Sequence, residues 1–292
     1  MTKEHRLFCE ISPLAYTIST EKEIVKRHVR DILSPVKLAV TKSKDSLPAL
    51  IIRHKSLIRR RLHNVNRQLQ ENKAVNLSLA APKVSGILIK PGETFSFWKL
   101  VGRTSSAKGY REGLTIRSGA ASSGIGGGMC QFTNLLHWMV LHTDLEIVEH
   151  HHHNHLDLFP DFKRQIPFGT GTSVVYNYLD YRFRNNTDKI YQILVWTDDE
   201  YLCGEVRASA PMNVKVHIRE EQAYFYWKDG VPFRHNIILR QVVDKGTGNT
   251  VESRVLMENN AQVMYDAALI DPAMLRQPDA APGETTTRTA VR

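Results

Sequence analysis

The spacing of apolar residues predicts helices in the first part of the chain and strands in the last part. In residues 21–33, apolar side chains recur three or four positions apart, and Pro35 follows as a stop signal. The same spacing extends over residues 48–72, where six basic residues accompany it and predict a basic amphipathic helix. A third helix is predicted over residues 130–143, with a buried stripe formed by Phe132, Leu135, Leu136, Met139 and Val140.

Short apolar runs separated by turn residues predict a sheet in the rest of the chain. The candidate strands are residues 84–89, 145–149, 174–184, 190–197, 202–208, 214–218 and 223–228, followed by a hairpin of 237–244 and 251–258. The class that fits is α+β, with N-terminal helices, a central helix that carries a cysteine motif at its start and a C-terminal, largely antiparallel β-sheet. We divide the chain into a helical, basic region (1–80), a core domain (81–210), a β-rich extension (211–270) and a flexible tail (271–292).

The composition is that of a globular protein with a basic surface. Of 292 residues, 39 are lysine or arginine and 30 are aspartate or glutamate, which gives a net charge of +9. Such a charge favours polyanions, for example anionic lipid or a phosphate-rich wall polymer. The basic helix between Arg53 and Arg67 could contact a membrane peripherally, or it could pack with its charges in water. It contains no aromatic residue for base stacking, so we expect no nucleic-acid partner.

Neither a secretory signal nor a membrane span is predicted. The first ten residues hold no continuous apolar stretch, and no window approaches the roughly 18 apolar residues of a spanning helix. Three widely spaced cysteines (Cys9, Cys130 and Cys203) make no disulfide framework. We therefore expect a cytoplasmic protein, with peripheral attachment to the membrane as the alternative.

A glycine-rich turn leads into the central helix and presents a cysteine at its start. Four of the five residues 124–128 are glycine, a composition that favours a backbone path that other residues cannot follow. At a helix start, the macrodipole and the free N–H groups around Met129–Gln131 could stabilise a thiolate or an oxyanion. We therefore predict Cys130 as a nucleophile, with ligand contacts from Gly126, Gly127, Gly128 and Gln131. The alternative is an inert, buried thiol beside a structural turn.

A run of histidines follows the strand predicted after the central helix. Residues 150–155 read His-His-His-His-Asn-His, and a strand that returns along the helix could bring one imidazole beside the thiol. We predict His153 in that role, with Asn154 or Asp157 orienting the ring. Two alternatives stay open: the run binds a metal ion, or it is a solvated loop in which one histidine matters. The predicted site itself includes no metal and no cofactor.

Glu93 is an acidic residue in the otherwise aromatic segment 92–97. It could contact a ligand in the same cleft. A carboxylate that caps its own turn is the more frequent arrangement. Both interpretations stay open at this point.

Several ordered motifs resemble those of VanW-type proteins. They are residues 90–97 (KPGETFSF), 102–104 with 109–110, 126–131 (GGGMCQ), 146–149 with the later His153-Asn154, and 181–187 (YRFRNNT). The resemblance implies an accessory role in glycopeptide-resistance clusters of Gram-positive bacteria, or in the cell envelope more widely. It places Cys130 and His153 at the cysteine and histidine of the family. Asn154 stands where serine is common, and the neighbouring histidines also depart from the pattern.

These observations support two functions of different classes. The first is a cysteine-dependent hydrolase or acyl transferase in which Cys130 and His153 act on an acyl or peptidyl group. The second is a non-enzymatic module that binds an anionic cell-wall precursor or envelope polymer through the glycine turn and the basic surface. A metal-binding protein that uses residues 150–155 is a weaker third possibility.

Overall fold

The structure is a computed structural model that describes residues 11–59, 66–117, 120–152, 156–161 and 164–276. Its helices are α1 (Pro13–Leu33), α2 (Arg67–Val84), α3 (Phe97–Val101) and α4 (Met129–Val140). Its strands are β1 (Ala49–Leu57), β2 (Ile87–Ile89), β3 (Thr94–Ser96), β4 (Glu112–Arg117), β5 (Ala120–Ile125), β6 (Glu146–Glu149), β7 (Leu156–Asp157), β8 (Arg182–Arg184), β9 (Tyr191–Thr197), β10 (Tyr201–Ala208), β11 (Val214–Lys228), β12 (Val231–Asp244) and β13 (Thr250–Val263). This arrangement confirms the predicted α+β class.

The core lies between one antiparallel sheet and two helices. The sheet has the strand order β1-β10-β9-β2, and α2 and α4 contact it. The apolar stripe predicted for the central helix is confirmed, because all five of its residues are buried. Gly204 of β10 allows the close approach, since a methyl group there would lie 2.6 Å from Cε of Met139.

A smaller sheet and a hairpin flank this core. Strands β3, β8 and β6 form a three-stranded antiparallel sheet in which Phe95 stacks on Phe183 with ring centroids 4.5 Å apart. Phe95, Phe97 and Trp98 of this aromatic segment are all buried in the core. Strands β4 and β5 form the hairpin that runs into the glycine turn and then into α4.

Long antiparallel strands form a second sheet with the order β11-β12-β13-β7. The strands predicted at 214–218 and 223–228 are one strand, β11, which bends at a register shift between Glu221 and Tyr224. Strand β7 joins β13 in parallel, with Leu156 opposite Gln262. The histidine-rich connection after β6 therefore leads directly to this sheet.

The helix predicted over residues 48–72 is wrong. Residues 49–57 form β1, which pairs with β10, and α2 begins only at Arg67. The basic side chains of β1 belong to a strand whose Arg53 donates a hydrogen bond of 2.9 Å to Glu205. Pairing with β10, whose residues lie 144 to 159 positions later in the chain, decided this conformation, and local periodicity could not reveal it. The membrane contact predicted for residues 53–67 stays a prediction.

Other predicted boundaries also need adjustment. In the segment predicted as a strand over 174–184, only Arg182–Arg184 is β8, and Val84 of the strand predicted over 84–89 ends α2. The predicted tail begins with residues bound to the second sheet, because Leu275 bridges Phe225; residues 277–292 lie outside the described part. The division into four regions stays a prediction. Among the described residues, no helix is long and apolar enough to cross a bilayer.

Candidate functional site

The glycine turn is shaped by close backbone contacts. Gly126 and Gly128 have φ angles of 80° and 111°, a region that side chains other than hydrogen rarely tolerate. Gly127 lies so close to Gly113 of β4 that an added methyl group would be 2.3 Å from its carbonyl carbon. The Nδ2 of Asn76 donates to the Gly127 carbonyl at 2.9 Å and fixes the turn to α2. This packing explains why glycine is required here and places the start of α4 firmly.

Cys130 is the second residue of α4, one position later than predicted. Gly128, the N-cap, has no side chain that could cap the first-turn N–H groups of α4. The thiol is only partly exposed and packs against the core. Burial raises the pKa of Cys130, although a hydrogen bond from the Val174 backbone opposes the rise. The resting group is therefore a neutral thiol.

Cys130 lines a cavity of about 250 Å³. Its walls come from β1, α2, the first turns of α4 and the connection between β6 and β8. Polar lining residues include His54, Ser56, Lys73, Cys130, Gln131, Asn134, His152, Asp157, Arg164 and Thr172, and apolar ones include Leu156, Phe159, Ile166 and Phe168. A cavity that combines apolar walls with several convergent polar groups is the usual form of a small-ligand site.

Segment 170–174 is fastened across the start of α4. The Oδ1 of Asn134 accepts hydrogen bonds from the backbone N–H of Thr172 at 2.6 Å and from its hydroxyl at 2.9 Å. The hydroxyls of Thr133 and Thr172 also contact each other. Because Asn134 lies four residues after Cys130, one face of the helix carries both the thiol and the anchor of this segment. The anchor holds the Val174 N–H beside the sulfur.

The histidine run contributes one described ring to the cavity, that of His152. His150 and His151 have partners in the protein, since their Nε2 atoms lie 2.9 Å from the Gly171 carbonyl and 3.0 Å from Glu149. These two rings are therefore bonded to protein groups, and the solvated-loop alternative for the whole run stays a prediction. The predicted catalytic residues His153 and Asn154 lie outside the described residues, so their roles stay predictions. No group of three or more metal-ligand side chains converges within the described ranges.

Sequence reasoning missed two titratable residues that line the same cavity, His54 and Lys73, and named Asp157 only as an alternative partner of a histidine. Burial, with a smaller effect of His142, lowers the pKa of His54 to about 4, so this imidazole is neutral at physiological pH. Lys73 of α2 is buried, and its stem packs against Gly128. Burial raises the pKa of Asp157, against the opposing charges of two arginines. Perturbed groups that share a cleft are typical of functional sites.

The remaining predicted residues divide between the cavity and its support. Gln131 lines the cavity, and its Nε2 donates to the Leu57 carbonyl at 2.8 Å, which ties α4 to β1. Gly126, Gly127 and Gly128 shape the turn but are not among the cavity-lining residues. Glu93 is buried elsewhere, where it accepts a hydrogen bond of 3.0 Å from the backbone of Lys90 and caps its own turn. The ligand contacts predicted for Glu93 and for the three glycines stay predictions.

Comparison with known proteins supports the resemblance seen in the motifs. Residues 72–207 match the family model described as VanW like protein. The chain is 37% identical over 196 residues to the vancomycin B-type resistance protein VanW of Enterococcus faecalis, covering 67% of this chain and 71% of that protein. It is 32% identical over 118 residues to the uncharacterized protein YoaR of Bacillus subtilis, covering 39% of this chain and 36% of that protein. No solved structure gives a significant match.

Proposed function

The chain belongs to the VanW-like family, and from this premise we propose that it acts on an acyl or peptidyl group of the cell envelope with Cys130 as the nucleophile. We propose further that this activity contributes to glycopeptide resistance, the role for which the Enterococcus faecalis relative is named. The observation that supports the chemistry is that Cys130, at the start of α4, shares one cavity with an imidazole, His152. A thiol and a base in one cleft are the minimum for nucleophilic acyl transfer.

The proposed reaction begins from the neutral thiol. The sulfur attacks the carbonyl carbon of an amide or ester, and its proton passes to His152 as general base. The carbonyl oxygen becomes an oxyanion that backbone N–H groups of the first turn of α4 can stabilise. The carbon–nitrogen or carbon–oxygen bond then breaks, and His152 returns the proton to the leaving group. Water or an acceptor amine releases the acyl group from the thioester.

The raised pKa of Cys130 decides how the thiol is activated. A preformed thiolate–imidazolium pair requires a lowered thiol pKa, whereas burial raises it here. We therefore propose that the proton leaves during the attack and not beforehand. His54, which also lines the cavity as a neutral ring, is the alternative base. We place the reaction in the cytoplasm, because the nucleophile must stay reduced.

The test is turnover of cell-wall stem peptides by the purified full-length protein, followed by mass spectrometry of the products. Cys130→Ala should reduce turnover by about 10³-fold or more, and His152→Gln by roughly 10²-fold or more. Cys203→Ser is the matched control, because Cys203 is a free cysteine that is absent from the cavity-lining residues and should leave turnover unchanged. Parallel variants of His54 and His153 identify the base. Turnover that survives Cys130→Ala would refute the proposed chemistry.

A binding module for an anionic envelope ligand is the second candidate. The observation that favours it is the buried Lys73 in the cavity lining beside a thiol that is neutral at rest. Under this alternative, wall precursors or teichoic acid bind in a salt-sensitive manner. Binding measured by calorimetry should then survive Cys130→Ala and weaken in Lys73→Met. Product formation by the wild-type protein would exclude a purely binding role.

A further inference from the structure

Helix α1 presents to solvent an apolar stripe that is interrupted in one turn, by Glu21 and Lys22. Viewed along the helix axis, six of its apolar residues fall within an arc of about 100°, and all six are exposed. The most exposed are Ile32 at 81% and Leu33 at 78%. The outer stripe consists of Leu14, Ile18, Val25, Val29, Ile32 and Leu33. A monomeric protein rarely leaves such a surface uncovered without a function for it.

The opposite face of α1 is held to the core mainly by ion pairs. Arg27 donates to both carboxylate oxygens of Glu149, and Asp31 accepts two hydrogen bonds from Arg182, at 2.9 and 2.6 Å. The buried apolar residues described in α1 are Ala15 and Ile24. These bonds fix the rotation of α1 about its axis, so the outer stripe faces away from the protein.

The charges beside the outer stripe are cationic. Lys22 lies within the arc of the stripe, and Lys26 and Arg30 lie beside it. Among the described residues, no carboxylate lies within salt-bridge distance of Lys22 or Arg30. Lys26 pairs with Glu23 at 3.6 Å in an exposed contact, which is worth little. Two acidic residues of the helix form salt bridges with arginines outside it: Glu21 with Arg103, and Asp31 with Arg182. The stripe is therefore flanked by uncompensated positive charge.

We propose that α1 is an interfacial helix that attaches this protein to an anionic membrane surface. The helix is about 31 Å long at 1.5 Å per residue, and it would lie in the plane of the headgroups with the outer stripe buried roughly 5–10 Å deep. The flanking cations and the net charge of +9 complement anionic lipid. A second copy fits less well, because a symmetric pair of stripes would bring the same cations together. The peripheral contact expected for Arg53–Arg67 is thereby assigned to a different element.

The test is flotation of the full-length protein with vesicles of phosphatidylcholine, alone or with about 30 mol% phosphatidylglycerol. We expect binding to the anionic vesicles that is at least about tenfold stronger than to the neutral ones and that falls with salt. Val29→Asp combined with Leu33→Asp should weaken binding by about tenfold or more. Lys22→Glu combined with Arg30→Glu should remove the preference for anionic lipid. Val251→Asp, at an equally exposed apolar position of β13, is the control and should bind as the wild type does.

Three results would overturn the proposal. The first is a wild-type protein that binds neither vesicle, and the second is a Val29→Asp/Leu33→Asp variant that binds like the wild type. The third is analytical ultracentrifugation that shows a dimer converted to monomer by this double variant, which would assign the stripe to a second copy. Cys130→Ala should bind vesicles as the wild type does. The vesicle assay therefore tests the membrane proposal independently of the proposed chemistry.

Discussion

Replacement of Gly127 by alanine should destabilise the protein through one defined backbone collision. The new methyl group would lie 2.3 Å from the carbonyl carbon and 2.5 Å from the carbonyl oxygen of Gly113. The turn or β4 must move by roughly 1 Å to restore van der Waals contact. Such overpacking typically costs about 1–3 kcal/mol, and the reduced entropy of the unfolded chain returns about 0.4–1 kcal/mol. We expect a net loss of about 2 kcal/mol in the free energy of unfolding, because both sides of the contact are backbone, which cannot move aside as a flexible side chain can.

Urea denaturation and thermal unfolding measure this loss directly. For a chain of this size, a loss of about 2 kcal/mol lowers the melting temperature by roughly 3 °C. Gly124→Ala is the matched control, because its methyl group would meet Thr115 at 3.4 Å, an ordinary contact, and its φ is not positive. A Gly127→Ala protein as stable as Gly124→Ala would refute the view that backbone packing requires glycine in this turn.

Three further predictions concern the thiol, its anchor and the ion pairs under α1. Because burial raises the pKa of Cys130, iodoacetamide in a Cys9→Ser/Cys203→Ser background should label the native thiol more slowly near neutral pH than the unfolded one; faster labelling would reveal a preformed thiolate. Asn134→Ala should lose about 1–3 kcal/mol of stability in urea, whereas Asn134→Asp, which keeps the acceptor for Thr172, should lose less; equal losses would contradict the anchoring role. Burial alone would raise the pKa of Glu149, but bonds from Arg27, the Asp180 backbone and His151 lower it, so its stabilisation is present above about pH 4.3 and lost as pH falls below that value. Glu149→Gln should therefore cost about 3–5 kcal/mol at pH 7 and less at pH 3; a cost that is independent of pH would refute the assignment.

The sequence predicted α4 and the turn before it because the determining contacts are local. An apolar stripe with 3.6-residue periodicity identifies a helix wherever it packs, and a cluster of glycines indicates an unusual backbone path. Cys130 and Gln131 could therefore be placed at the helix start from sequence alone. Asn134 could have been found by the same reasoning, since it lies one helical turn after Cys130 on the same face.

The other walls of the cavity depend on contacts between distant segments. His54 lies in a segment that the sequence predicts as a helix. The pairing of β1 with β10 makes this segment a strand, and His54 then lines the cavity. Lys73 reaches the site because α2 packs over the glycine turn, a contact that no local pattern reveals. Among neighbouring histidines, periodicity could not select His152, because the pattern does not show which ring faces the cavity.

The most direct test of the central claim is intact-protein mass spectrometry after mixing with an ester analogue of a cell-wall stem peptide. The account predicts a mass increase of one acyl group, removed by hydroxylamine and mapped by proteolysis to Cys130. His152→Gln should slow formation of this thioester. An acyl group on Lys73, or an unchanged mass when the same ester is turned over, would contradict nucleophilic catalysis by this cysteine.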